Sequence, residues 1–188
     1  SVEKISTHYH YFSKILESYR NKLPKSILDK IRSECLNKVS KDGQALVYVP
    51  EELQDKEMCL AAVRECGYAL EYVPKELRND KDICLAAVSN YGWTLENVPE
   101  KLKHDREICL AAVRENGLAL ENVPEELQDY DLCLVAVSNH GWTLENVPEK
   151  LKHDRDICLT AVRNHGTALY WVPEELQDKE MCLAAVSN

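Results

Sequence analysis

The stretch Asn79-Asp80-Lys81-Asp82-Ile83-Cys84-Leu85-Ala86-Ala87-Val88-Ser89-Asn90-Tyr91-Gly92 decides the fold, because the chain writes versions of it repeatedly. The pattern runs again from Asp55 to Gly67, Asp105 to Gly117, Asp129 to Gly141 and Asp154 to Gly166, and restarts at Asp178. Such a period marks a stacked array, in which no unit buries its apolar face alone and each leans on its neighbours.

Within one unit, an aspartate stands four residues before the cysteine, at 55, 80, 105, 129, 154 and 178. That is the place for an N-cap, whose carboxylate accepts from the free N–H groups of the first turn and suits the positive helix end. Ile83, Cys84, Ala87, Val88 and Tyr91 then form a stripe along one side, widened by Leu85 and Ala86. Gly92 is expected to end the helix in a left-handed conformation. After it, Leu95, Val98 and Leu102 recur at spacings of three and four, which predicts a short helix or single turns. Pro99 interrupts that return and is expected in the first turn of its restart. No stretch alternates with period two over a useful length, so no sheet is expected. The fold class is all-α: a right-handed α-solenoid of 24/25-residue units, each one main helix plus a short helix or turn.

Residues 1–24 depart from the repeat. Ile5, Tyr9, Phe12, Leu16, Tyr19 and Leu23 recur at helical spacing, predicting an amphipathic helix that caps the array. Residues 25–188 hold about six and a half units, the first one worn, with Asn37 and Lys38 in place of two alanines and therefore facing water. The glycines stand at 43, 67, 92, 117, 141 and 166. A one-residue length difference falls between proline and cysteine, in the loop before the N-cap, where length is tolerated. Trp93–Gly117 and Trp142–Gly166 match closely, which suggests duplication of a pair. The array is expected to continue beyond Asn188, as part of a larger protein.

Charge is divided unevenly. Residues 1–42 carry 9 Lys/Arg against 5 Asp/Glu, whereas residues 43–188 carry 14 against 27, a net −13 within the total of −9. An acidic array repels phosphate backbones, so nucleic acid is not an expected partner and a protein or basic peptide is. No run approaches the roughly 20 apolar residues of a membrane span. Seven of the eight cysteines recur every 24 or 25 residues, from Cys35 to Cys182. Stacked helices lie about 8–10 Å apart, too far for equivalent cysteines to pair or share a metal. They read as small hydrophobes of the inter-helix layer. Cys66, outside that series, is expected to be exposed. Free thiols in this number point to a reducing, cytoplasmic compartment.

The pattern Asp-x-x-x-Cys-Leu-Ala-Ala-Val-x-x-x-Gly-x-x-Leu-Glu-x-Val-Pro-x-x-Leu resembles a family of short helical repeats classed as a domain of unknown function, number four-one-one-six. The resemblance covers roughly residues 26–188. The cysteine after Ile or Met, as at Ile83-Cys84, departs from the paired aliphatics of that family. The rhythm is also similar to that of leucine-rich variant repeats. The resemblance to the family of unknown function implies occurrence in bacterial effector-like proteins and in large microbial eukaryote and viral proteins, which extends the expected compartment to a host cytosol. No activity comes with either resemblance.

If recurring positions are core, the positions that vary between units carry the contacts. After each glycine stand Tyr68, Trp93, Leu118, Trp142 and Thr167; tryptophan is a favoured interface anchor, and the alternative is a plug between returns. Before each glycine stand Cys66, Tyr91, Asn116, His140 and His165, the histidines being either a responsive pair or polar residues near helix C-termini. Tyr72, Tyr170 and Trp171 fall where other units carry Asn or Glu. Glu71, Glu96, Glu121 and Glu145 align in a column that would hold a basic peptide or simply face water. The candidate protein-binding residues are thus Trp93, Trp142, Tyr68, Tyr91, His140, His165, Tyr72 and Trp171. No Gly-rich phosphate loop, His-Glu-x-x-His motif or isolated nucleophile with a His partner is present, so no enzyme activity, cofactor or metal is expected. The function read from the sequence is a protein-binding or scaffolding module; the alternative is an accessory array that positions or regulates a catalytic domain outside this sequence.

Overall fold

A computed structural model describes residues 24–187, so the capping helix expected over residues 1–24 lies outside the described residues apart from Pro24. The chain divides into two compact units, one ending at Asn90 and one beginning at Tyr91. In the first, helices Lys25–Val39, Lys56–Glu65 and Lys81–Asn90 pack against their neighbours in sequence. In the second, the succession is Arg106–Glu115, Tyr130–Asn139, Arg155–Asn164 and Lys179–Val186. Each of these helices except Lys179–Val186 is followed by a 3-10 segment, and no described residue is in a strand. This is solenoid-like packing of 24/25-residue repeats.

Every main helix from Lys56 onward begins where its aspartate stands. Asp55 accepts from Met58 N–H at 2.9 Å, Asp129 from Leu132 N–H at 2.9 Å and Asp178 from Met181 N–H at 2.9 Å. Asp154 accepts from both Asp156 and Ile157 N–H, at 3.0 and 3.2 Å. The apolar stripe becomes the inter-helix layer: Ile83, Cys84, Ala87 and Val88 are buried, and Leu85 and Ala86 half-buried. From the return segments, Leu46, Leu70, Leu95, Leu120 and Leu144 are fully buried. Each contributes about 1.5–3 kcal/mol of hydrophobic stabilisation. Asn37 and Lys38 are exposed, as the worn first unit requires.

Two expectations about the joints are corrected. The glycines do not adopt a left-handed conformation, since no described glycine has positive φ. From Gly67 onward the residue before each glycine follows the helix in an extended conformation instead, as Cys66 (φ −143°) and Tyr91 (φ −150°) do. Glycine is needed because the next helix comes too close. A Cβ on Gly141 would overlap the Ala161 carbonyl oxygen, and one on Gly117 the Ala136 carbonyl oxygen. Pro99 does not enter the first turn of Glu100–Lys103 but precedes it, at φ −55° and ψ 140°. Its carbonyl accepts from Leu102 N–H at 2.8 Å, so the restart is organised by an acceptor rather than by a missing donor.

The length difference also has a structural form. After Pro50, Pro124 and Pro173 the chain makes a 3-10 turn, and after Pro74, Pro99 and Pro148 one α-helical turn, Lys75–Arg78, Glu100–Lys103 and Glu149–Lys152. The shorter form leaves carbonyls to satisfy, and a glutamine does so. Gln54 Nε2 donates to Val49 O at 2.7 Å and Leu46 O at 3.2 Å, and Gln128 repeats this on Val123 and Leu120. In a longer unit Arg78 Nε donates to Val73 O at 2.7 Å.

Candidate functional site

The 3-10 segment that follows each glycine sorts its residues into core and surface. With three residues per turn, positions i and i+3 eclipse. In Gly141–Asn146 this buries Thr143 and Leu144 and leaves Trp142, 46% exposed, on the same side as the exposed Glu145. The same register puts Tyr68 with Glu71, Trp93 with Glu96 and Leu118 with Glu121. Tyr68 is exposed, Trp93 and Leu118 are half-buried, and all the glutamates of this column are exposed. The tryptophan and glutamate columns, read separately in the sequence, therefore share one face of the return segments.

The residue after one glycine also meets the residue before the next. The Trp142 and His165 rings lie 5.0 Å apart, inclined at 59°. In the first unit Gln44 and Cys66 occupy the same relation, with Nε2 4.0 Å from Sγ. Cys66 is half-buried rather than exposed. His140 is used differently: its Nδ1 accepts from Gly117 N–H at 3.2 Å. The two histidines thus have separate partners. Tyr91 is half-buried at the start of the Gly92–Asn97 segment. Tyr72, 37% exposed, lies in a shallow groove with Pro50 and Pro74. Trp171 packs edge-on against Tyr170 at 4.9 Å. Its indole N–H is buried without an acceptor among the described residues, whereas Tyr170 is 79% exposed.

Sequence reasoning missed two ladders that join neighbouring units. In the first, a side chain near the end of one helix accepts from the glycine N–H of the unit before. Asn90 does so from Gly67 at 2.6 Å, Asn164 from Gly141 at 2.7 Å, and Glu115 from Gly92. The asparagines also donate backwards, Asn90 to Arg64 O and Asn164 to Ser138 O. The second ladder is ionic. The first residue of a helix, or a cation near it, reaches the N-cap of the next: Lys56 to Asp80 at 2.8 Å, Arg106 to Asp129 at 2.9 Å and Arg155 to Asp178 at 2.9 Å. Opposite charges one repeat apart were the signal for it. Lys56 holds the Asp80 carboxyl below its ordinary range, and Arg155 does the same to Asp178. At Asp55 and Asp129 burial pushes the other way, but the Met58 and Leu132 N–H groups with Arg32 and Arg106 outweigh it. His104 and His153 each contact a glutamate of the following unit, Glu126 at 2.9 Å and Glu175 at 3.2 Å.

The cysteines are more than apolar filler. Cys84 Sγ donates to Arg78 O at 3.0 Å, and Cys109 and Cys158 donate to Lys103 O and Lys152 O at 2.9 Å. Burial pushes the Cys59 and Cys133 thiols up to about 12 and those of Cys84, Cys109 and Cys158 to about 11. Such thiols are poor nucleophiles and metal ligands. Among the described residues no three His, Cys, Asp or Glu side chains gather as a metal site, and no helix is long and apolar enough to cross a membrane.

The family model described as "Domain of unknown function (DUF4116)" matches residues 34–78, 55–103, 80–128 and 129–177 in overlapping succession. The chain belongs to this family. Each DUF4116 match spans about two of the repeats described above. No curated protein and no solved structure matches the chain.

Proposed function

We propose that this DUF4116 array is a non-catalytic protein-binding or scaffolding module. The observation that carries the reading is Trp142, a large apolar side chain 46% exposed on a segment whose Leu144 is wholly buried. Repeating residues hold the layers together, and the aromatic residues that vary from unit to unit are left on the return face. Exposed aromatic anchors of this kind dominate binding energy at protein interfaces. Burial raises the Cys59, Cys84, Cys109, Cys133 and Cys158 thiols, the opposite of what a cysteine nucleophile needs, so these five suit a packing role. The net −13 of residues 43–188 favours a basic peptide or protein surface over nucleic acid. Free thiols favour a reducing cytosol, and the effector-like resemblance extends this to the cytosol of a host.

The test is affinity capture with the full chain, run beside a variant carrying Trp93→Ala and Trp142→Ala. Loss of specific partners from the variant, with its helicity and melting temperature kept, is the expected result. Identical recovery by both proteins removes the tryptophans from the binding surface.

A further inference from the structure

The return face of the second unit has a chemistry and a spacing that specify its ligand more closely. Trp93 with Glu96, Leu118 with Glu121, and Trp142 with Glu145 form three successive pairs of an apolar and an anionic side chain, eclipsed in their 3-10 segments. The segments touch in order along the unit. Among the described residues none of these three glutamates has an ion pair, whereas the N-cap carboxylates of the same unit, Asp129 and Asp178, are bound by Arg106 and Arg155. Each pair therefore sets side by side what an Arg or Lys side chain uses: an apolar side chain for the aliphatic stem, an aromatic ring in two of the three, that of Trp142 also touching His165, and a carboxylate.

The general spacing of packed helices indicates the register. Packed helical layers stand about 8–10 Å apart. An extended polyproline II segment has three residues per turn and rises about 3.1 Å per residue, so its every third side chain returns to the same face after roughly 9 Å. We propose that this face binds an extended, proline-rich basic segment of a partner protein, with Arg or Lys at every third residue and one cation per repeat. Tyr170 replaces the glutamate in the next repeat, so the run of carboxylates stops after Glu145. This inference rests on the protein-binding function proposed above.

The test uses the full chain and two fluorescein-labelled peptides of the same composition, Pro-rich with four arginines. One has arginine at every third position and the other has the arginines clustered at one end. Fluorescence anisotropy at fixed ionic strength is expected to give tighter binding for the regularly spaced peptide, by about 5-fold or more. Trp142→Ala and Glu145→Gln are each expected to weaken it roughly 2–5-fold. Glu125→Gln, an exposed carboxylate outside the face, is expected to leave it unchanged. Thermal melts of each variant establish that the fold is kept. Equal affinity for the two peptides, or indifference to both Trp142→Ala and Glu145→Gln, overturns the inference and leaves only diffuse charge attraction. If neither peptide binds while partner capture still depends on Trp93 and Trp142, this inference falls and the protein-binding reading stands. If capture is indifferent as well, both fall.

Discussion

Replacing Gly141 by alanine tests the joint between repeats. The backbone there is not left-handed, so alanine brings no torsional strain. By restricting the unfolded chain alone it would stabilise the protein by about 0.4–1 kcal/mol. Packing opposes this. The new methyl carbon would overlap the Ala161 carbonyl oxygen and lie 2.9 Å from His165 Cβ and 3.0 Å from His165 N. To clear it, the Gly141–Asn146 segment and helix Arg155–Asn164 must separate by roughly 1 Å, which forfeits a quarter to a half of the dispersion energy between the atoms moved apart. The Asn164 hydrogen bond to Gly141 N–H, 2.7 Å long, stretches as well. Overpacking of this kind costs about 1–3 kcal/mol, occasionally more. We expect a net loss of about 2 kcal/mol, or about 1 M in the urea midpoint at a typical slope, read by far-UV circular dichroism and tryptophan fluorescence. Gly141→Asn separates the two explanations of the glycine. A left-handed site tolerates asparagine better than alanine, whereas a crowded joint is disrupted more by the larger side chain. A Gly141→Ala protein as stable as the parent, or an asparagine variant more stable than the alanine one, would refute the close-approach explanation.

Three other outcomes are expected. Asn164→Ala removes an acceptor from Gly141 N–H and a donor to Ser138 O and should destabilise by about 1–3 kcal/mol, with Asn164→Asp intermediate because it keeps the acceptor; chemical denaturation of the pair checks the order. Cys59, Cys84, Cys109, Cys133 and Cys158 should resist iodoacetamide in the native protein while Cys66 and Cys182 label first, as peptide mass mapping would show. The N-cap carboxylates Asp55, Asp80, Asp129 and Asp178 are held below their ordinary value in the folded state. Their stabilisation is complete above the unfolded value near 3.9 and is lost as pH falls through the folded values. Melting temperature should fall most steeply below about pH 4, and a flat profile from pH 6 to 2 would contradict the caps.

The elements were legible in the residues because local chemistry decides them. Aspartate before an apolar run, an Ala-rich middle and Val-Pro in the return set the helix starts, the buried layer and the break, and each stands where it was read. The joints were less legible. Gly141 and Asn164 lie 23 residues apart, and glycine has a local explanation, the left-handed cap, that needs no knowledge of the next unit. The real cause is a neighbour's carbonyl, which becomes visible only after the repeats are stacked. The ionic ladder was hidden in the same way, since Asp178 was read only as the cap of its own helix and Arg155, 23 residues earlier, was not connected to it. At the candidate site the individual residues were named, but Trp142 and Glu145 were placed in separate columns. Their pairing depends on the return being a 3-10 segment, and nothing in Gly-Trp-Thr-Leu-Glu-Asn distinguishes that from an α-helical turn.

Hydrogen exchange at single-residue resolution tests most directly whether each repeat is held by the next. The glycine amides at 67, 92, 117 and 141 follow helix ends, where an isolated unit would leave them open to water, yet each is bound by a side chain in the following helix or, for Gly117, by His140 just after it. Stacked repeats require all four to exchange slowly, and Asn164→Ala to release Gly141 while Gly117 stays protected. Exchange of the four glycines at the rates of an unstructured chain would contradict the stacking on which the fold and the proposed binding face both depend.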